Sequence, residues 1–216
     1  MRVFAYRTWL AGSVFALCLL LSSQGGEAGQ QRQSRSVRLP QSTSITISGP
    51  TLTPYGWADF CNRYEAECPT NVLAAEDLEL TSRLWSAIRR VNLIVNATIK
   101  PRSDMDHWNV LDRWDLPMDG YGDCEDYVLL KRKLLLAQGL PRQALLVTIV
   151  KDENGEGHAI LTVKTDRGDF ILDNMSDEVK PWAVLPYRFV KRQSQSDPNV
   201  WEQLGEPTSA PLIVSR

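Results

Sequence analysis

The chain is poor in the features that assign a protein to a class at first reading. It has no surplus of positive charge: 24 Lys and Arg face 26 Asp and Glu in 216 residues, a formal net charge of −2. Proteins that bind phosphate backbones need a basic face, so nucleic acid is not expected as a partner. Its strongest apolar run, residues 9–21 (WLAGSVFALCLLL), falls short of the roughly 20 residues that a membrane-spanning helix requires. No internal repeat is visible, which sets aside solenoid folds. Histidine is scarce, with His107 and His158 the whole supply. A multi-histidine zinc site is thereby disfavoured, and the choice of a general base narrows to two residues. What remains is an ordinary globular composition, 43% hydrophobic and 23% charged. It argues against a disordered, collagen-like or multi-span protein and allows one domain with tails.

The first residues read as an address. Arg2 and Arg7 flank the start, the apolar run follows, and Gly25-Gly26-Glu27-Ala28 offers small residues for cleavage. The expected organisation is a signal peptide at 1–28, a flexible segment at 29–54, a globular domain at 55–192 and a polar tail at 193–216. Residues 44–47 form at most an edge strand, and Trp201 is a packing anchor in the tail. This layout gives the four cysteines different fates. Cys18 leaves with the signal, and export to an oxidising compartment favours a bridge between Cys61 and Cys68. Seven residues along a continuous helix span about 10 Å, whereas bridged Cα atoms lie about 5.5 Å apart. The helix expected from Trp57 must therefore end near Arg63 to Glu65 and the chain turn back before Pro69. The other reading is two buried thiols.

Periodicity sets out the rest. Leu80, Leu84, Trp85, Ile88, Val91 and Val95 fall at helical spacing and predict an amphipathic helix over 76–95. Residues 100–119 read as a polar, aromatic loop. A second helix is expected from Cys124 to about Gln138, with Asp123 as its cap, Asp126 completing a capping-box-like pattern, and Gly139 and Pro141 ending it. Apolar, alternating segments at 144–150, 158–164 and 169–173 predict strands separated by turns. Helices first and an antiparallel meander afterwards imply an α+β domain.

Chemistry concentrates on three residues. As the first residue of its helix, Cys124 would have its thiolate favoured by the dipole and the free N–H groups of the first turn. Those N–H groups could also hold an oxyanion forming on an attacked carbonyl. Asp123, Glu125 and Asp126 around the thiol oppose ionisation, so a base or a cation is needed. His158 opens one strand and Asp173 ends the next. An even-numbered loop around 166–168 would put both on one face, whereas a three-residue loop with a bulge at Gly168 would separate them. The residues leave that register open. Cys, His and Asp in this order supply nucleophile, base and orienter. His107, among acids and Trp108, reads as a loop histidine.

The run Gly122-Asp123-Cys124-Glu125-Asp126-Tyr127 at a helix start, followed by Gly157-His158-Ala159-Ile160-Leu161 and Phe170-Ile171-Leu172-Asp173-Asn174 on strands, resembles the bacterial transglutaminase-like cysteine proteinases. The resemblance covers about residues 57–187. It implies a papain/transglutaminase-like α+β fold with the nucleophile at a helix N-terminus, packed on an antiparallel sheet. It implies a catalytic triad of Cys124, His158 and Asp173, and calcium bound by the acids flanking the cysteine, which Asp123 and Glu125 match, with Asp126 as a third ligand; since calcium takes 6–8 oxygens, others must come from backbone or from Asp104, Asp106, Asp112 and Asp115. It also implies a periplasmic endopeptidase acting on a large surface adhesin, with an inner-membrane receptor as a possible regulator. The same fold could instead transfer amides as a transglutaminase or deamidase. A non-catalytic, calcium-responsive binding module is the alternative outside enzymology.

Overall fold

The structure, a computed structural model, describes residues 38–205. The expected signal peptide, Cys18 and the end of the expected tail lie outside the described residues. Within them the chain forms β1 (Ile47–Thr51), α1 (Tyr55–Arg63), α2 (Ser82–Thr98), β2 (Lys100–Pro101), α3 (Asp104–Trp108), β3 (Tyr121–Gly122) and α4 (Cys124–Ala137). Six strands complete it: β4 (Leu145–Lys151), β5 (Gly157–Thr165), β6 (Gly168–Asp173), β7 (Ser176–Pro181), β8 (Arg188–Gln193) and β9 (Trp201–Leu204). Seven strands pair in the order β1-β9-β8-β4-β5-β6-β7, every pairing antiparallel, and β2 and β3 form a short parallel pair. The result is the mixed helix and antiparallel-sheet architecture expected.

The sheet has two unlike faces. Val147, Ile149, Ala159, Leu161, Val163, Phe170 and Leu172 pack with α2 and α4 into the main core. The alternate residues Val150, Ile160 and Ile171 face Trp182, Leu185, Tyr187 and Phe189 in a smaller cluster. Asp169 is buried, where Lys164 Nζ at 3.0 Å, Arg192 at 3.1 Å and the Ile45 N–H at 2.9 Å all donate to it. These bonds join β5, β6 and β8 to the segment before β1.

Several boundaries differ from the sequence reading, each for a local reason. The long amphipathic helix starts at Ser82, because Thr81 caps it by accepting the Leu84 N–H at 3.1 Å. Residues before it are drawn to the end of β5: the Leu78 N–H donates to Lys164 O, and the Asp166 N–H donates to Leu78 O. Within the expected loop at 100–119, Ser103 accepts the Asp106 N–H and starts α3, which Asn109 ends in the left-handed region at φ 57°. Segments read as lead and tail contribute β1 and β9, which pair with each other. Trp201 of β9 is buried against Trp57 and Trp114. Helix α1 ends at Arg63 and a 3-10 turn at Glu65–Glu67 reverses the chain, so Cys61 and Cys68 are bridged with their Cα atoms 5.5 Å apart.

Candidate active site

Cys124 is the first residue of α4, and its side chain is completely buried. Asp123 stands at the cap position in extended conformation, but its carboxylate does not cap the helix. Its Oδ2 accepts the Asp104 N–H at 3.2 Å instead, tying α3 to the start of α4. The capping box expected with Asp126 is therefore not formed, since Asp126 Oδ1 is taken by the Asp115 N–H at 2.7 Å. Gly122 makes room for this. A Cβ there would lie 2.6 Å from Asp126 Oδ2, closer than any real contact.

The sulfur meets the sheet at the start of β5, where it accepts the Ala159 N–H at 3.4 Å. Its neighbour His158 is also fully buried. Leu161 pairs with Leu172 and Thr165 with Gly168, which leaves a two-residue turn and carries Asp173 to the position opposite Ile160. Of the two registers that the sequence left open, this one puts His158 and Asp173 on one face. His158 Nε2 bonds Asp173 Oδ1 at 2.9 Å.

Two further groups hold Asp173. The Met175 N–H donates to Oδ1 at 2.9 Å, and the Tyr187 hydroxyl donates to Oδ2 at 2.7 Å while its ring stands edge-on to His158. Burial works against charge on His158, but the Asp173 hydrogen bond and the adjacent Cys124 sulfur outweigh it and push the imidazolium from 6.5 up to about 10. Burial likewise opposes ionised Asp173, and the His158 bond outweighs it, holding that carboxyl below its ordinary value. Such mutual stabilisation is the mark of a paired acid and base. Tyr187 follows Pro186 in a segment without periodicity, and nothing in the sequence singled it out.

On the other side of the sulfur lies a crowd of carboxylates. Oxygens of Asp104, Asp123 and Asp126 sit within 4.8 Å of one another, as do those of Asp104, Asp112 and Glu125. The thiol donates to Glu125 Oε2 at 3.2 Å, and Glu125 Oε1 is buried with no hydrogen-bond donor among the described residues. Burial first, and then the Asp123 charge, raises Asp104 from 3.8 to about 7. Asp126 is driven well up by the same two causes, and Glu125 by burial and the adjacent Cys124. Buried acids this close cannot all ionise without a counter-charge, and an all-oxygen donor set suits a hard cation such as calcium. Of the four aspartates expected as possible extra ligands, Asp104 and Asp112 join the cluster. Asp106 is bonded to Ser103, and Asp115 is occupied by Arg63, Arg113 and Tyr64. His107, on α3, pairs with Asp119 at 2.8 Å and stacks on Trp108, as a structural histidine does.

A comparison with curated proteins finds no match. Among solved structures, calcium-bound LapG of Legionella pneumophila is similar at 22% identity and a TM-score of 0.48, over 62% of this chain and 76% of that one. The EGTA-treated LapG of the same organism is similar at 19% identity and a TM-score of 0.46, over 60% and 74%. The family profile of the bacterial transglutaminase-like cysteine proteinases matches residues 47–209, about three quarters of the chain. The chain belongs to that family and is a cysteine peptidase.

Proposed function

We propose that the protein is an exported, calcium-dependent endopeptidase in which Cys124, His158 and Asp173 act as a triad. The observation that carries this reading is the placing of the Cys124 sulfur, at a helix start and bonded by the Ala159 N–H, beside a buried imidazole that is itself bonded to a carboxylate. In the reaction, the sulfur attacks the peptide carbonyl carbon and the imidazole holds the thiol proton. The imidazolium then gives that proton to the departing amine as the C–N bond breaks, leaving an acyl-enzyme thioester. Water, deprotonated by the same imidazole, releases the acid and restores the thiol. Asp173 holds Nε2, so the ring presents Nδ1 to the sulfur and keeps one tautomer throughout. The N–H groups of the first turn of α4 stabilise the oxyanion.

Calcium is held in this reading by Asp123, Glu125 and Asp126, with Asp104 and Asp112 completing the set. The ion supplies charge that offsets the carboxylates beside the sulfur. Periplasmic location, a large surface adhesin as substrate and an inner-membrane receptor as regulator belong to the same proposal, through the family resemblance.

The test uses the purified protein with calcium and, as probe, the N-terminal region of the largest repeat-rich surface protein of the same organism. Cleavage that disappears in Cys124→Ala is expected. Cleavage that persists in this variant sinks the triad. Incorporation of a fluorescent amine into the probe without backbone cleavage would replace peptidase chemistry by amide transfer.

A further inference from the structure

The Cys124 thiol has one hydrogen to donate, and it does not go where peptide-bond chemistry needs it. The sulfur accepts the Ala159 N–H at 3.4 Å and donates to Glu125 Oε2 at 3.2 Å. A thiol carries a single hydrogen, so this bond withholds it from every other acceptor. The base that should receive it is His158, the residue before Ala159, whose Nε2 is bonded to Asp173 at 2.9 Å. The ring's other nitrogen, Nδ1, is buried and makes no hydrogen bond among the described residues. Cys124, Glu125 and His158 are all fully buried, so no solvent exposure relieves the arrangement.

Stability alone gives no reason for it. A thiol is a weak donor and gains little from Glu125, whereas a buried imidazole nitrogen left unbonded bears its full desolvation cost. Glu125 is also the odd member of the three acids around the sulfur. Asp123 accepts the Asp104 N–H at 3.2 Å and Asp126 accepts the Asp115 N–H at 2.7 Å, both tying backbone together. Glu125 instead gives one oxygen to the nucleophile, and its Oε1 has no donor among the described residues. An oxygen of Glu125 lies within 4.8 Å of oxygens of Asp104 and Asp112. Calcium takes carboxylates through one or both oxygens, so a cation on this group competes with the thiol for the lone pairs of Glu125.

We propose that Glu125 is a latch on the nucleophile: it holds the Cys124 S–H away from His158, and ligation of its carboxylate by calcium passes that hydrogen bond to Nδ1. This rests on the triad and calcium reading above. It gives the residue next to the cysteine a second task besides ligation. The ion then acts on the reacting sulfur through a carboxylate that touches it, and the base is engaged only when the ion is bound.

The hydrogen bond of a single thiol can be read by infrared spectroscopy without a substrate. Cys61 and Cys68 are bridged, so a Cys18→Ser background leaves Cys124 as the one thiol, and adding Cys124→Ser supplies the blank. In EGTA an S–H stretching band should be present, lowered in frequency by the bond to Glu125. Calcium should displace or abolish it. Glu125→Ala should give, in EGTA, the spectrum that the parent gives only with calcium. A residue that is merely a calcium ligand predicts the opposite: an unchanged spectrum in EGTA, with only the response to calcium lost. Glu125→Asp, which draws the carboxylate back by one methylene, makes the same comparison if the alanine variant fails to fold. The proposal is overturned by the lack of an S–H band in EGTA, by a band that calcium leaves in place, or by a variant band at the parent's position. Melts taken in parallel show whether calcium was bound, which separates failure of the latch from failure of the calcium reading. If the band moves as expected and the parent shows no Cys124-dependent cleavage, the triad reading fails and the latch stands.

Discussion

If the carboxylate cluster holds calcium as proposed, binding and pH act on the same free energy, and the sign can be worked out. Without a cation, folded Asp104 titrates at about 7 while its unfolded counterpart titrates at 3.8. Between these values the folded chain keeps a proton that the unfolded chain has lost, so stability falls as pH rises from about 4 to about 7. At roughly 1.4 kcal/mol per factor of ten, the full span is an upper bound of about 4 kcal/mol by pH 8. Glu125 and Asp126, also raised, push in the same direction at higher pH. A bound cation reverses the penalty by favouring the ionised form of each ligand, and it must displace protons at low pH. The melting-temperature increment given by calcium should therefore be small at pH 5 and large at pH 8. At a free concentration one hundred times the Kd it corresponds to about 2.7 kcal/mol, or roughly 5–11 °C for a domain of this size. Comparing melts with calcium and with EGTA at each pH cancels groups outside the cluster, including His158, whose raised value loses stability between about 6.5 and about 10. Equal increments at pH 5 and pH 8 would refute the argument. So would magnesium producing the same increment, since the cluster offers several carboxylates and magnesium resists full dehydration.

Two substitutions test the supports of the site. Gly122→Ala would thrust a methyl to within 2.6 Å of Asp126 Oδ2, and should cost about 1–3 kcal/mol and reduce the calcium increment; thermal melts with and without calcium read both. Tyr187→Phe removes the 2.7 Å hydrogen bond to the buried Asp173 and keeps the ring against His158, so kcat/KM should fall roughly fivefold and stability by about 1–3 kcal/mol, read by steady-state cleavage of the adhesin probe and by thermal melts.

The parts of the fold legible in the sequence are those written in local chemistry. The start of α4 at Cys124 followed from reading Asp123 as a cap ahead of an apolar helical run, even though the Asp123 carboxylate serves Asp104 rather than the helix end. The turn that brings Cys68 back to Cys61 followed from the covalent geometry of a bridge. Where contacts between distant segments decide, the reading failed. Residues 76–81 carry helical spacing, yet Leu78 bonds the backbone of Lys164 and Asp166, and the helix waits for Thr81. The same holds for the site. Cys124, His158 and Asp173 stand on regular elements at recognisable spacings. Tyr187 reaches it from an irregular segment, where no period marks a residue as facing inward.

The hairpin that aligns His158 with Asp173 shows how far such distant contacts reach. Its alternatives were a two-residue turn or a bulge at Gly168, and the sequence of the hairpin permits both. Three outside groups favour the first. The Asp166 N–H donates to Leu78 O at 2.9 Å, and Asp166 Oδ1 accepts the Leu80 N–H at 2.9 Å, fixing the turn's first residue on the segment before α2. The Ser42 N–H donates to Arg167 O at 2.8 Å, fixing its second. Gly168 then follows at φ +97°, with the backbone of Ser42 and Thr43 so close that a Cβ would lie 2.5 Å from it. Only glycine meets both demands, positive φ and the absence of a side chain. A one-residue slip here would turn Asp173 to the opposite face and part it from His158. The alignment of the acid with the base is thus set about five residues away, by the residues before α2, read from the sequence as helix, and by a segment that composition marked as a flexible lead.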